Sequence, residues 1–269
     1  MARNPSALPT YLTRLFGLAG RTAVITGGSS GIGKEIALAL GQSGATVIII
    51  ARRAKPLAST VEQLAQLGVA ATSITADLSN LADLHHASAR VKSAHGVPDI
   101  LVNAAGVSRR PPLLSRVTQG DWDYAIAANL TAPFALGQAF GPGMAERGSG
   151  RIINVASQQS SFRALGNGGA YGAAKGGLVS LTRSQAEAWS RSGVLCNAIV
   201  PGLVETPTTG EELLLTDADR AAGAHAARTM IGRDGVAEDF AGVAVWLASG
   251  ASAAVTGQTI FVDGGSSAT

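Results

Sequence analysis

The sequence predicts an α/β domain built on a doubly wound parallel sheet of seven strands, with helices on both faces. Three observations lead there. Short apolar runs alternate with longer segments of helical periodicity along the chain. The runs are rich in β-branched residues and show little polar alternation, as strands buried on both faces do. The first run feeds a glycine cluster that opens directly into a helix. Strands joined in this way lie parallel, through right-handed crossovers.

The first strand is predicted at 22–26. Residues 32–40 are apolar on one helical face, and Gly44 closes that helix in the left-handed conformation open to glycine. A strand follows at 46–50, a helix at 56–67 and a strand at 69–75. Next come a helix at 81–95 and a strand at 99–102. A long helix is expected over 121–147, kinked or interrupted at Pro133 and Pro142, since proline offers no N–H and its ring meets the preceding turn. The remaining strands fall at 151–155, 195–200 and 260–263, with helices at 170–190 and 238–249. One domain is expected over 1–269, with 1–15 as an N-terminal extension. The segment 203–231 is long and lies between two elements, which suits a lid over substrate.

Composition narrows the function. Apolar residues make up 46% and charged residues 14%, against a usual charged share of about 25%. Such a chain has little surface to charge, or buries surface in an oligomer. A net charge of +3, from scattered basic residues, argues against a nucleic-acid partner and fits a phosphorylated small molecule. No uncharged apolar stretch approaches the ~18 residues of a membrane span. No apolar h-region follows Arg3 or precedes Arg14, so no secretory signal is expected and a cytoplasmic location is. Cys196 is the single cysteine, so no disulfide can form within the chain, and its apolar surroundings mark it as a small buried hydrophobe. His85, His86, His95 and His225 show no ligand spacing with cysteine or carboxylate, and no catalytic metal is expected.

In a doubly wound sheet the ligand lies beyond the carboxyl ends of the strands, so the residues after each strand carry the argument. After the first come Thr26-Gly27-Gly28-Ser29-Ser30-Gly31-Ile32-Gly33. A pyrophosphate needs close backbone approach and free N–H donors at a helix N-terminus, and this loop offers both. No Lys-Ser or Lys-Thr pair follows the glycines, which excludes a P-loop. A tight turn alone would also use glycine; the strand–loop–helix context favours a dinucleotide. After the second strand, the place where an acid would accept from the ribose 2′-hydroxyl of NAD holds Ala51, followed by Arg52 and Arg53. Guanidinium groups suit a 2′-phosphate, so NADP(H) is the preferred cofactor and NAD(H) the alternative. A solvated helix start is the bland reading of the same pair.

After the third strand, Asp77-Leu78 can place a carboxylate near the adenine amino group, or cap the next helix, or both. After the fourth, Asn103-Ala104-Ala105-Gly106 lets backbone run flat beneath a cofactor while Asn103 pins neighbouring strands. Ser157 follows the fifth strand. Tyr171 and Lys175 stand at i and i+4 on one helical face. A free phenol titrates near ~10 and is a poor base at pH 7. A nearby ammonium favours the phenolate, and bringing the phenol near 7 takes roughly 4 kcal/mol of differential stabilisation.

Together these residues resemble the short-chain dehydrogenase/reductase family over about 15–265. The match is carried by the 26–33 loop, Asp77, Asn103-Ala104-Ala105-Gly106, Asn129, Ser157, Tyr171 with Lys175, and Pro201-Gly202. Val255-Thr256-Gly257-Gln258 and Val262-Asp263-Gly264-Gly265 close it. The resemblance implies a Rossmann fold and a tetrad of Asn129, Ser157, Tyr171 and Lys175. In it Tyr171 is the general acid or base, and Ser157 bonds the substrate oxygen. Lys175 holds the nicotinamide ribose and lowers the Tyr171 pKa, and Asn129 retains a water linking Lys175 to solvent. Val204 and Thr206, after Pro201-Gly202, would cradle the nicotinamide amide. The resemblance also implies that helices at 121–147 and 170–190 pack against counterparts in a homotetramer.

Stretches at 109–112, 157–160 and 183–189 look like the gluconate 5-dehydrogenase-like branch, which keeps an NAD-dependent polyol dehydrogenase open as an alternative. Ser157 and Tyr171 are 14 residues apart, one more than the family's common spacing. The extra residue is assigned to 160–162, with Ser160 and Ser161 as understudies to Ser157. The substrate is a small carbonyl compound or alcohol bound by 107–114, 158–165 and 203–231, where Arg109, Arg110 or Arg163 could meet a carboxylate. A cofactor-binding sensor on the same fold is the competing class, and it would be expected to lose part of the tetrad.

Overall fold

A computed structural model describes residues 8–107, 113–160, 169–204 and 226–268. Seven parallel strands form one sheet in the order β3-β2-β1-β4-β5-β6-β7. They are β1 Thr22–Thr26, β2 Thr46–Ala51, β3 Ala71–Thr75, β4 Ile100–Asn103, β5 Gly150–Val155, β6 Val194–Pro201 and β7 Thr259–Val262. The expected doubly wound Rossmann architecture is the one observed. Strand order reverses between β1 and β4, where Thr26 lies beside Asn103. That reversal opens the crevice beyond the carboxyl ends in which such sheets take ligands.

Alternation along each strand builds two cores. Ala23 and Ile25 of β1 pack on one face with Ile36, Leu40, Phe240 and Leu247. Val24 packs on the other with Leu84, Val91, Phe140 and Met144. Helices α2 (Gly31–Gln42), α3 (Ala54–Gln66) and α8 (Ala241–Ala248) contribute to the first core. Helices α4 (Leu81–His95) and α6 (Ala132–Glu146) cover the second. Cys196 is fully buried there, and burial pushes its thiol up to about 12.

Some boundaries moved for identifiable reasons. β3 begins at Ala71 because the Val69 N–H is spent on the Leu64 carbonyl, closing α3. A 3₁₀ turn, Ala237–Phe240, precedes α8 where one helix was expected. The N-terminal stretch carries a helix the sequence reading did not expect, α1 (Leu8–Phe16), docked against Gly250–Ser252. Among the described residues no helix is long and apolar enough to cross a membrane.

The long helix expected over 121–147 is three pieces: α5 (Gln119–Ile126), a π-helical turn (Ala127–Thr131) and α6. Pro133 lies in the first turn of α6, where its missing N–H would have faced the Asn129 carbonyl in an α register. The Asn129 side chain also donates to the Ala125 carbonyl, and the backbone widens around it. Pro142, expected to kink or interrupt the helix, lies inside α6, which continues past it. Flanking Gly141 and Gly143 press onto Trp189 and Val97, so packing offsets the one bond lost.

Candidate active site

The glycine loop is shaped by close approach. A Cβ on Gly27 would lie 2.7 Å from Ala105 Cα, and one on Gly33 would lie 2.5 Å from the Gly27 carbonyl oxygen. Gly27 also holds φ +71, in the region that favours glycine. The loop therefore lies flat against Ala104 and Ala105, the residues that follow β4. Ser30 stands at the α2 N-cap and makes no side-chain cap bond, so the helix's leading amides face the crevice mouth without a side-chain cap. Ser29, Gly31 and Ile32 complete the loop. This cradle fits a pyrophosphate, because both backbone approach and the positive helix end are in place.

The strand ends bring the adenosine-side residues together. Arg52 leaves β2 and donates from Nη1 to the Tyr124 hydroxyl at 3.2 Å. Arg53 is exposed at the α3 N-cap. Asp77 accepts from the Ser79 backbone N–H at 2.9 Å and the Ser79 hydroxyl at 2.7 Å. Burial alone would raise the Asp77 carboxyl; the Ser79 bonds and the Arg52 charge outweigh it and hold the pKa below the ordinary value. The α4 cap is Asn80, which accepts from the Ala82 and Asp83 amides. Asp77 thus forms the turn before the helix and leaves the capping role to Asn80. Leu78 is buried beside it.

At the switch point the Thr26 hydroxyl donates to the Val102 carbonyl and accepts from the Ala105 amide. Asn103 donates to the Asn154 side chain at 2.8 Å, and Asn154 donates in turn to Thr182 and Gln185. The expected pinning of neighbouring strands by Asn103 extends to α7 (Gly169–Trp189). A Cβ on Gly106 would stand 3.5 Å from Asn129 Oδ1 and 3.8 Å from Lys175 Nζ. The segment after β4 therefore meets Asn129 and Lys175 at Gly106.

Asn129 is fully buried in the π turn. Its amide donates to the Val107 carbonyl at 2.8 Å, and its Oδ1 accepts from the Val107 N–H at 3.3 Å, tethering the loop after β4. Ser157 lies two residues beyond the end of β5, after Ala156, and its hydroxyl accepts from the Gln159 amide at 3.3 Å. The next residues form a 3₁₀ turn, Gln158–Ser160, laid on α7. A Cβ on Gly172 would be 3.2 Å from the Gln159 carbonyl oxygen, and one on Gly176 3.3 Å from that of Ser160. Glycine at i and i+4 gives the turn its seat.

Tyr171 sits in the first turn of α7 with Lys175 one turn on, and Lys175 Nζ is 5.7 Å from the phenol ring centre. Lys175 is 2% exposed, and its ammonium donates to the Val155 carbonyl at 2.8 Å. Burial lowers its pKa to about 7. Val155 ends the strand that leads to Ser157, so this bond ties the acid–base helix to the serine. At the end of β6, Gly202 donates to the Val262 carbonyl, and a Cβ there would meet Asp263 at 2.9 Å. Pro201 and Val204 are buried. Thr206, Arg109, Arg110, Ser161, Arg163, most of the 203–231 segment and part of the 1–15 stretch lie outside the described residues. Among the described residues no three His, Cys, Asp or Glu side chains group as metal ligands.

Two participants escaped the sequence reading. Tyr124 lies 72 residues from its partner Arg52, and no local pattern marks such a contact. The Val107 backbone holds Asn129 through bonds that leave no trace in residue type.

A flat glycine cradle at a helix N-terminus, beside a buried lysine one turn from a tyrosine, defines a nicotinamide-dependent oxidoreductase. Residues 27–267 match the family model described as enoyl-(acyl carrier protein) reductase, and the chain belongs to the short-chain dehydrogenase/reductase family. Such enzymes act on CH–OH groups and carbonyls with NAD(P). It is 37% identical over 251 residues to the gluconate 5-dehydrogenase of Gluconobacter oxydans, covering 93% of this chain and 96% of that one. It is 36% identical over 253 residues to the 5-keto-D-gluconate 5-reductase of Escherichia coli K12, covering 93% and 97%. A crystal structure of a gluconate 5-dehydrogenase from Burkholderia cenocepacia, in complex with NADP and tartrate, superposes with TM-score 0.88 at 35% identity, covering 96% and 99%.

Proposed function

We propose that this protein is an NADP(H)-dependent oxidoreductase interconverting a ketone and a secondary alcohol on a sugar-acid-like substrate. The observation that carries the chemistry is the buried Lys175 ammonium, held on the Val155 carbonyl beneath Tyr171 and beside Gly106. When bound, the nicotinamide supplies or takes the hydride. Gly27, Ser29, Ser30, Gly31, Ile32 and Gly33 hold the pyrophosphate, and Arg52 and Arg53 hold the adenosine 2′-phosphate. Asp77 and Leu78 would border the adenine, Asn103, Ala104 and Gly106 would lie under the cofactor, and Pro201, Gly202 and Val204, with Thr206 beyond the described residues, would border the nicotinamide. Tyr171 gives its proton to the substrate oxygen in reduction and takes it in oxidation. Ser157 donates to the same oxygen and stabilises its charge. Lys175, when charged, holds the ribose and favours the Tyr171 phenolate. Asn129 keeps a water that joins Lys175 to solvent.

The names of the relatives support the substrate class, and the NADP in the Burkholderia structure supports the cofactor. Low charge and half-exposed Trp122 and Phe134 on α5 and α6 support a homotetramer. A single domain with a lid at 203–231 and a cytoplasmic location complete the reading; the lone buried cysteine is in keeping with that compartment. The test is Tyr171→Phe, assayed by NADPH absorbance on a panel of keto-acids, sugars and simple ketones. Loss of the proton donor should lower turnover by roughly 10² or more while NADPH still binds. Near-normal turnover would remove Tyr171 from the mechanism.

A further inference from the structure

The contact between Arg52 and Tyr124 has no part in the chemistry at Tyr171. It spans from the carboxyl end of β2 to α5, at 3.2 Å. The Arg52 charge also reaches Asp77, at the end of β3, and helps to lower its pKa. Three elements distant in sequence thus converge on one guanidinium at the adenosine side of the crevice. Arg52 is exposed and Tyr124 half-buried. An exposed arginine has many rotamers, and binding a phosphate means giving them up. A tyrosine has only two side-chain torsions, and this one rises from a helix, so its hydroxyl is a fixed point. The bond uses one of the five guanidinium N–H donors, and the remainder can meet a phosphate dianion.

We propose that Tyr124 is a positioning residue for cofactor selection: it presets Arg52 for the adenosine 2′-phosphate and so favours NADP(H) over NAD(H). The proposal rests on the NADP(H) reading above. A tyrosine that merely packed against the crevice would affect both cofactors alike, because they differ only in that phosphate.

Calorimetric titration of NADPH and NADH into wild type, Tyr124→Phe, Arg52→Ala and the double variant separates the possibilities. Tyr124→Phe should weaken NADPH by roughly threefold to tenfold and leave NADH within about twofold. Arg52→Ala should weaken NADPH by roughly 10- to 100-fold. The double variant should bind NADPH no worse than Arg52→Ala alone, because Tyr124 acts through Arg52. An equal loss for both cofactors, additive losses in the double variant, or an unchanged Tyr124→Phe beside a weakened Arg52→Ala would overturn the proposal and leave the NADP(H) reading intact. If Arg52→Ala also binds NADPH normally, the 2′-phosphate role of Arg52 falls, and the proposal falls with it.

Discussion

Replacing Lys175 with methionine should make the protein more stable at neutral pH while destroying its activity. The ammonium is buried, and its pKa stands at about 7 against 10.5 for a free lysine. A lysine whose folded pKa is lowered destabilises the fold. The penalty is fully present below the folded pKa, declines as pH rises, and vanishes above the unfolded value. At pH 7 that difference corresponds to roughly 4 kcal/mol, and at pH 9 to roughly 2. Lys175 is 2% exposed, so screening by bulk solvent does not reduce these figures much. Methionine has similar reach and no charge. It forfeits the bond to the Val155 carbonyl, which costs about 1–2 kcal/mol. Lys175→Met should therefore gain about 2–3 kcal/mol at pH 7, or roughly 5–10 °C in Tm, and close to nothing at pH 9. Urea unfolding of both proteins at pH 7 and pH 9 gives the comparison. Protein concentration must be fixed, because any assembly would add its own stability. A variant less stable than wild type at pH 7, or a gap that does not shrink with pH, would refute the reasoning.

Two further outcomes follow from the same geometry. Ser157→Ala should lower turnover by roughly 10²–10³, whereas Ser160→Ala should stay within about twofold in steady-state assays, because the buried Ser160 hydroxyl has no hydrogen-bond partner among the described residues; comparable losses at both positions would move the serine role. Light scattering at micromolar concentration should give about four times the 27.0 kDa chain mass, and a mass near one chain would end the tetramer reading.

Most strands were legible as apolar, β-branched runs, although Thr72, Ser73 and Thr75 of β3 are exposed. Tyr171 with Lys175 was legible from the i, i+4 spacing, and part of the candidate site from its place at or just beyond the strand ends. Gly27, Asn103 and Ser157 needed no more than that placement. Features fixed by tertiary contact were not legible. Helix α1 has only nine residues, and its partner is the distant turn at Gly250–Ser252. The break in the 121–147 helix was signalled by Pro133, but its form depends on an Asn129 side chain that bonds both Ala125 and Val107. Asp77 and Asn80 are both able cap acceptors three residues apart, and only the bonds to Ala82 and Asp83 settle the choice.

The seat that Gly172 and Gly176 provide for the Gln158–Ser160 turn has a consequence for how this enzyme can change. The turn is anchored on the helix up to Ser160, so a change of length beyond Ser160 would not have to transmit movement back to Ser157. The extra residue between Ser157 and Tyr171 is tolerable for this reason. Under the proposed mechanism reactivity and substrate choice are mechanically separated, because a wall beyond Ser160 could be rebuilt without moving Ser157. A larger side chain at Gly172 would press on the Gln159 carbonyl and join the two again.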